Sequence, residues 1–269
     1  LYLANSGRAI LADAARSSLT LFDALGSIVK VIDLFENNIY DYEKFLGCTI
    51  CEITEQLVIV AEKSPATFDP SSQKYISAQP ELIGLTFDGD QIWRKPLDFW
   101  AASRLAVSPE GRWIVVSGSN RSQSGELKFQ TLVMNSSGQD KFSIAARWNH
   151  FSFNSQENRL LLADRDQIYL VDLISQDFQK IDCDNRKIIT TVLLPSDDAP
   201  VVMMATVEFI RNRFQYSQPE LRKYHWNRTL LWQLKIDDRL CYTPSLFIDG
   251  EQLAVGWSNG YQIYRLTRD

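Results

Sequence analysis

The sequence predicts an all-β fold built from repeated four-stranded units, and three observations lead there. Helical periodicity is almost absent. Runs of four to eight residues rich in Val, Ile, Leu, Phe and Trp recur, divided by Gly, Asn, Asp, Ser and Pro, which is the pattern of successive hairpins. One motif also returns: a short apolar strand, a polar turn, then a second apolar strand. It is seen in Leu-Ala-Val-Ser-Pro-Glu-Gly-Arg-Trp-Ile-Val-Val (105–116), Phe-Ser-Phe-Asn-Ser-Gln-Glu-Asn-Arg-Leu-Leu-Leu (151–162) and Ser-Leu-Phe-Ile-Asp-Gly-Glu-Gln-Leu-Ala-Val (245–255). Repetition of a four-stranded antiparallel unit predicts a single β-propeller over residues 1–269, with a pair of β-sandwiches as the competing arrangement.

The first unit, 1–36, reads as strands at 1–3, 9–13, 19–23 and 28–33, with turns at Asn5-Ser6-Gly7 and Ala24-Leu25-Gly26. The second, 47–97, has strands at 49–53 and 56–62, a long excursion at 63–80, then strands at 82–87 and 91–95. Asp88-Gly89 between the last two suits a tight hairpin turn. The third, 104–147, is the most regular: strands at 105–108, 113–117, 127–134 and 141–145, with turns at Pro109-Glu110-Gly111 and Asn135-Ser136-Ser137-Gly138. The fourth, 148–182, has strands at 151–153, 160–163, 167–172 and 178–181. The fifth, 186–241, has strands at 188–194 and 201–206, a second excursion at 207–228, and a third strand at 229–235. The sixth, 243–269, has strands at 245–248, 253–257 and 261–266 and lacks a clear fourth.

Six units in 269 residues give roughly 45 each, the length of one blade. Seven blades fit if 37–46 hides strands. An open sheet edge invites unwanted pairing. The ring is therefore expected to close with a strand from upstream of Leu1 or through an irregular first or last blade. The absence of an initiating Met agrees with either a fragment of a longer chain or a processed product.

The repeated strand–turn–strand core resembles that of the WD40-like β-propeller superfamily. No Trp-Asp dipeptide closes a third strand, where Phe22-Asp23 and Val171-Asp172 are the nearest equivalents, and no Gly-His pair opens a unit. The stretch Leu85-Thr-Phe-Asp-Gly-Asp-Gln-Ile-Trp93 is also similar to a single quinoprotein-type blade motif.

Apolar residues make up 45% of the chain and aromatics 12%, enough for a large core. The net charge of −5 argues against a general binder of nucleic acid or anionic membranes, which needs a basic face. No apolar run approaches the ~18 residues that span a bilayer, and no leader pattern is visible. The expected setting is cytoplasmic. Cys48, Cys51, Cys183 and Cys241 are too few for a disulfide scaffold. Cys48-Thr-Ile-Cys51 has CxxC spacing but stands alone and before a strand, whereas a redox CxxC opens a helix whose dipole lowers the thiol pKa. Ordinary buried thiols are the expectation.

The two excursions carry the functional expectation, because loops on a rigid scaffold commonly carry function. Both are read as lying between the second and third strands of their units, so both would emerge on one face of a propeller, beside its channel mouth. The competing reading is a tolerated surface insertion. In the second excursion, 207–216 and 221–226 flank Ser217-Gln-Pro-Glu220, suggesting a projecting hairpin. There Arg211, Arg213, Arg222 and Lys223 mingle with Phe214, Tyr216, Tyr224 and Trp226. Arginine with aromatics is the composition of binding hot spots. These eight residues are the candidate partner-binding set, for a protein with an acidic or phosphorylated surface. An extended blade with packed aromatics and solvated cations is the competing reading.

Catalysis finds little support. Only two histidines exist, His150 and His225, and neither sits in a nucleophile or metal motif. Walker, dinucleotide and nucleophile-elbow patterns are absent. The acidic pairs Asp164/Asp166, Asp182/Asp184, Asp197/Asp198 and Asp237/Asp238 fall at turns, where they favour turn chemistry over calcium. The expected role is a non-catalytic platform for protein–protein interaction, without cofactor or metal, within a larger protein or assembly. An enzyme or small-ligand sensor with its site at the channel mouth is the alternative.

Overall fold

The computed structural model describes residues 2–3, 7–13, 18–33, 44–51, 54–62, 66–122, 124–184, 186–194, 198–210, 213–236, 245–249, 252–257 and 260–265. They fall into two compact units, Leu1–Arg147 and Trp148–Asp269. Every regular element among them is a β-strand, so no helix there is long and apolar enough to cross a membrane.

The first unit holds three four-stranded antiparallel sheets. Strands β1 (Tyr2–Leu3), β2 (Ala9–Asp13), β3 (Ser18–Phe22) and β4 (Ile28–Asp33) form the first, in chain order. The second contains β5 (Lys44–Cys51) and β6 (Gln56–Glu62). A separate small hairpin, β7 (Thr67–Asp69) and β8 (Lys74–Ile76), then intervenes before β9 (Pro80–Thr86) and β10 (Gln91–Pro96) complete that sheet as β5-β6-β9-β10. The third comprises β11 (Ala101–Val107), β12 (Trp113–Arg121), β13 (Leu127–Asn135) and β14 (Asp140–Ile144).

In the second unit, β15 (His150–Phe153), β16 (Arg159–Asp164), β17 (Gln167–Asp172) and β18 (Phe178–Asp182) form the fourth sheet. The fifth has β19 (Lys187–Leu193), β20 (Pro200–Ile210), β21 (Arg213–Tyr224) and β22 (Leu230–Lys235). A three-stranded sheet follows: β23 (Ser245–Asp249), β24 (Gln252–Trp257) and β25 (Gly260–Arg265). A series of four-stranded meanders of this kind is consistent with a β-propeller.

Strand alternation builds the cores. Side chains along a strand point to opposite faces by turns. Accordingly Leu57 and Ile59 of β6 join a cluster with Ile10, Leu19 and Ile32 of the first sheet, while Val58 and Val60 join one with Val107 and Ile114 of the third. The fifth sheet repeats the scheme: Val202 and Met204 pack with Leu161 and Leu170 of the fourth, and Val201 and Met203 with Leu253 and Val255 of the sixth. Strands buried on both faces read as continuous apolar runs, and each large aliphatic so buried contributes about 1.5–3 kcal/mol. The outer strands β10 and β22 show intermittent exposure instead.

A recurring turn links the strands. Asp23 Oδ1 accepts the N–H groups of Leu25 and Ser27 at 2.9 and 2.8 Å. Asn135 Oδ1 accepts those of Ser137 and Gln139, and Asn154 Oδ1 those of Asn158 and Arg159. Each short polar side chain satisfies backbone donors that no ladder reaches.

Three expectations are corrected. The 207–228 stretch is not an insertion before the third strand: it comprises the end of β20 and all of β21, so Leu230–Lys235 is the fourth strand. Ser217–Glu220 is not a turn but lies within β21. The CxxC lies inside β5 rather than before a strand. The 63–80 excursion does separate the second and third strands of its sheet and contains the β7–β8 hairpin. Of residues 37–46, which seven blades would need as extra strands, 44–46 belong to β5 and 37–43 lie outside the described residues.

Candidate partner-binding groove

β20 and β21 are the longest strands, with 11 and 12 residues, while β19 and β22 beside them have 7 and 6. The β19–β20 pairing ends at Lys187↔Ala205, and the β21–β22 pairing at Glu220↔Lys235. Beyond those points β20 and β21 pair only with each other, through Val207↔Tyr216, Phe209↔Phe214 and Ile210↔Arg213. A two-stranded ribbon thus projects from the sheet. Val207 and Phe209, two apart, share a face with Tyr216, the cross-strand partner of Val207.

That face overhangs a groove of about 500 Å³. Ile188, Ile189, Val207, Phe209 and Tyr216 supply its apolar lining, and Asn149, Arg165 and Lys187 its polar one. Phe209 is 63% exposed, more than Phe68, Phe151 or Phe178. Lys187 Nζ lies 3.1 Å from Asp166 Oδ2. Asn149 Nδ2 donates to Asp164 Oδ1 at 2.5 Å. Arg165 is exposed and has no ion-pair partner among the described residues. It opens the two-residue connection from β16 to β17 with φ at 38°, a conformation that favours Gly or Asn, and its carbonyl accepts the Ile188 N–H.

Of the sequence candidates, Tyr216 lines this groove. Arg213 and Phe214 lie on the ribbon's β21 arm, and Arg211 lies outside the described residues. The remaining four sit further along. Arg222 Nε donates to Glu220 Oε1 at 2.5 Å, and Arg222 Nη1 reaches Asp184 Oδ2 and the Tyr224 hydroxyl at 3.3 and 3.4 Å. Tyr224 is buried, and burial raises its phenol pKa. Trp226 Nε1 donates to the Asp198 carbonyl at 2.8 Å, and its ring lies 4.9 Å from the Arg159 guanidinium. Lys223 is half-buried in β21 opposite Trp232. Asn149, Arg165, Lys187 and Phe209 were not singled out by sequence. For Arg165 a signal existed, in an arginine at the first place of a two-residue turn.

A second cavity, of about 300 Å³, is lined by Arg186, Gln218, Pro219, Glu220, Lys235 and Ile236. Much of its charge is internally satisfied, because Glu220 is held by both Arg186 and Arg222.

In the first unit, the β7–β8 hairpin is pinned to the third sheet. Tyr75 packs edge-on to Trp100 at 6.3 Å, and the Arg121 guanidinium lies 4.5 Å from the Tyr75 ring and 4.9 Å from that of Trp100. Ser77 Oγ donates to the Phe99 carbonyl at 2.9 Å. The excursion is thereby anchored at Tyr75 and Ser77, while Phe68 and Ile76 stay exposed.

Burial pushes the Cys48 thiol up to about 11 and that of Cys183 up to about 12, away from thiolate chemistry. Among the described residues no group of three or more His, Cys, Asp or Glu could hold a metal ion. His225 is exposed in a turn, where its Nδ1 accepts the Asn227 N–H at 3.2 Å.

No protein-family model matches this chain, and no curated protein matches it in sequence. Solved structures do match in fold. Hydrazine synthase of Kuenenia stuttgartiensis superposes with a TM-score of 0.61 at 12% identity, covering 98% of this chain and 75% of that one. A eukaryotic initiation factor gives 0.57 at 13%, covering 96% of this chain and 59% of that one. A chain of a mitotic checkpoint complex gives 0.49 at 12%, covering 98% and 86%. At such identities the likeness is one of fold alone.

Proposed function

We propose that this chain is a six-bladed β-propeller that serves as a non-catalytic platform for protein–protein interaction, with the β20–β21 ribbon and the groove beneath it as its docking surface. One observation carries the reading: Phe209 stands 63% exposed on a ribbon that overhangs an apolar groove with cations at its edge. An exposed aromatic beside Tyr, Arg and Lys is the composition of an interface centre.

Excising 207–228 would not test this, since it removes β21 from the middle of its sheet. Point changes on the ribbon would. The chain and its Phe209→Ser/Tyr216→Ser variant are each immobilised, and proteins captured from an extract of the source cells are identified by mass spectrometry. The reading expects a defined partner retained by the parent and lost by the variant, with unfolding midpoints alike. An identical captured set would sink it.

A further inference from the structure

We infer that the groove takes an extended acidic peptide, which adds as a β-strand along the open edge of β20 and places an apolar side chain two residues before a carboxylate. The inference rests on the platform reading and specifies its partner.

The strand edge comes first. β19 accompanies β20 only to Lys187↔Ala205, while β20 runs on to Ile210. On the side vacated by β19, no strand lies beside Thr206–Ile210 among the described residues. The chain reaches β19 from elsewhere: Cys183 N–H donates to the Asp166 carbonyl, and Ile188 N–H to that of Arg165. An edge of this kind is a template for strand addition, in which main-chain hydrogen bonds give affinity and alternate side chains give specificity.

The groove then defines the side chains. A strand that continues the line of β19 runs antiparallel to β20, and so passes Phe209 before Val207 and approaches Lys187 last. Its residue beside Phe209 shares a face with that ring, an apolar site. Two residues later the same face meets Lys187 and Arg165. The preferred order is therefore apolar, any residue, then Asp or Glu, read from N to C.

The test uses the full chain and the peptide Ac-Ser-Thr-Leu-Thr-Glu-Thr-Ser-NH2, whose blocked ends leave one carboxylate. Titration calorimetry reads affinity, and amide shifts of Thr206, Val207 and Glu208 read its place. Binding of the order of 100 µM is expected, with those amides perturbed. Three changes should each weaken it by about fivefold or more: exchanging Leu and Glu, replacing Glu by Gln, and N-methylating alternate peptide nitrogens. Arg165→Asn should weaken the Glu peptide and spare the Gln one. Equal binding by the N-methylated or the Gln peptide would overturn the inference, as would no binding by any. If Phe209→Ser/Tyr216→Ser still abolished partner capture, the platform reading would stand while strand addition fell.

Discussion

Arg186 Nη1 lies 2.8 Å from Glu220 Oε2, a carboxylate that is only 3% exposed. Arg222 Nε holds the other oxygen of the same group at 2.5 Å. One guanidinium comes from the segment before β19 and the other from β21, so the buried carboxylate ties the entrance of the fifth sheet to its third strand. Two charges are affordable here only because a third group sits between them. Glu220→Ala removes the carboxylate that both arginines share and should cost about 3 kcal/mol, whereas adding Arg186→Met and Arg222→Leu should recover most of it. Urea-unfolding midpoints of the single and triple variants measure this. A single variant within about 0.5 kcal/mol of the parent would show the network to be idle.

Gly84 in β9 makes a different kind of contact. A Cβ built there would overlap the indole of Trp93, whose Nε1 donates to Gln56 Oε1 at 3.1 Å. The same ring covers Gly138, where an added Cβ would meet Trp93 Cζ3 at 3.0 Å. The indole is thus seated against two glycines of neighbouring sheets. Gly84→Ala should destabilise the chain by about 1–3 kcal/mol through forced movement of the ring. Near-ultraviolet circular dichroism should lose the Trp93 contribution, and an unchanged spectrum with an unchanged midpoint would contradict the packing described.

Cys48 bears on the CxxC directly, and Cys183 is a second shielded thiol. Burial raises both thiols, to about 11 and about 12. A pKa raised in the folded state means that stability is fully present below the ordinary thiol value and is lost as pH rises through the folded values. Near pH 8 both groups are neutral thiols. Iodoacetamide at that pH should therefore leave Cys48 and Cys183 unlabelled in the native chain and label them readily in denaturant, as read by peptide mass spectrometry. Fast native labelling of Cys48 would restore the redox reading of the motif.

How far sequence reasoning reached depends on what each signal encodes. Gln56–Glu62 reads as a strand because Leu57–Ala61 are buried on both faces, and short polar turns such as that at Asn135 announce their own hydrogen bonding. The β20–β21 hairpin misleads for a physical reason. Its connection at 211–212 is Arg-Asn, without the usual glycine or proline, whereas Ser217-Gln-Pro-Glu220 contains the proline expected of a turn. Pro219 is tolerated inside β21 because the ladder is interrupted there, with a register shift between Met204 and Thr206 opposite. The groove was less accessible still. Asn149 and Arg165 come from separate connections and Lys187 opens β19, and only folding brings them beneath the ribbon.

Arg165 allows stability and binding to be separated in one substitution. Its φ of 38° costs an ordinary residue roughly 1 kcal/mol, and Asn pays less because its side chain can bond to the nearby backbone. The hydrogen bond from Ile188 uses the Arg165 carbonyl, so it survives a change of side chain. Arg165→Asn should therefore leave the unfolding midpoint unchanged or raise stability by about 0.5 kcal/mol. It should at the same time reduce retention of an acidic partner, most clearly at low ionic strength, where an exposed cation is least screened. Thermal unfolding and partner capture on the same preparation read both effects. A fall in stability of more than about 1 kcal/mol would mean that the guanidinium supports the fold, and would remove Arg165 from the docking surface.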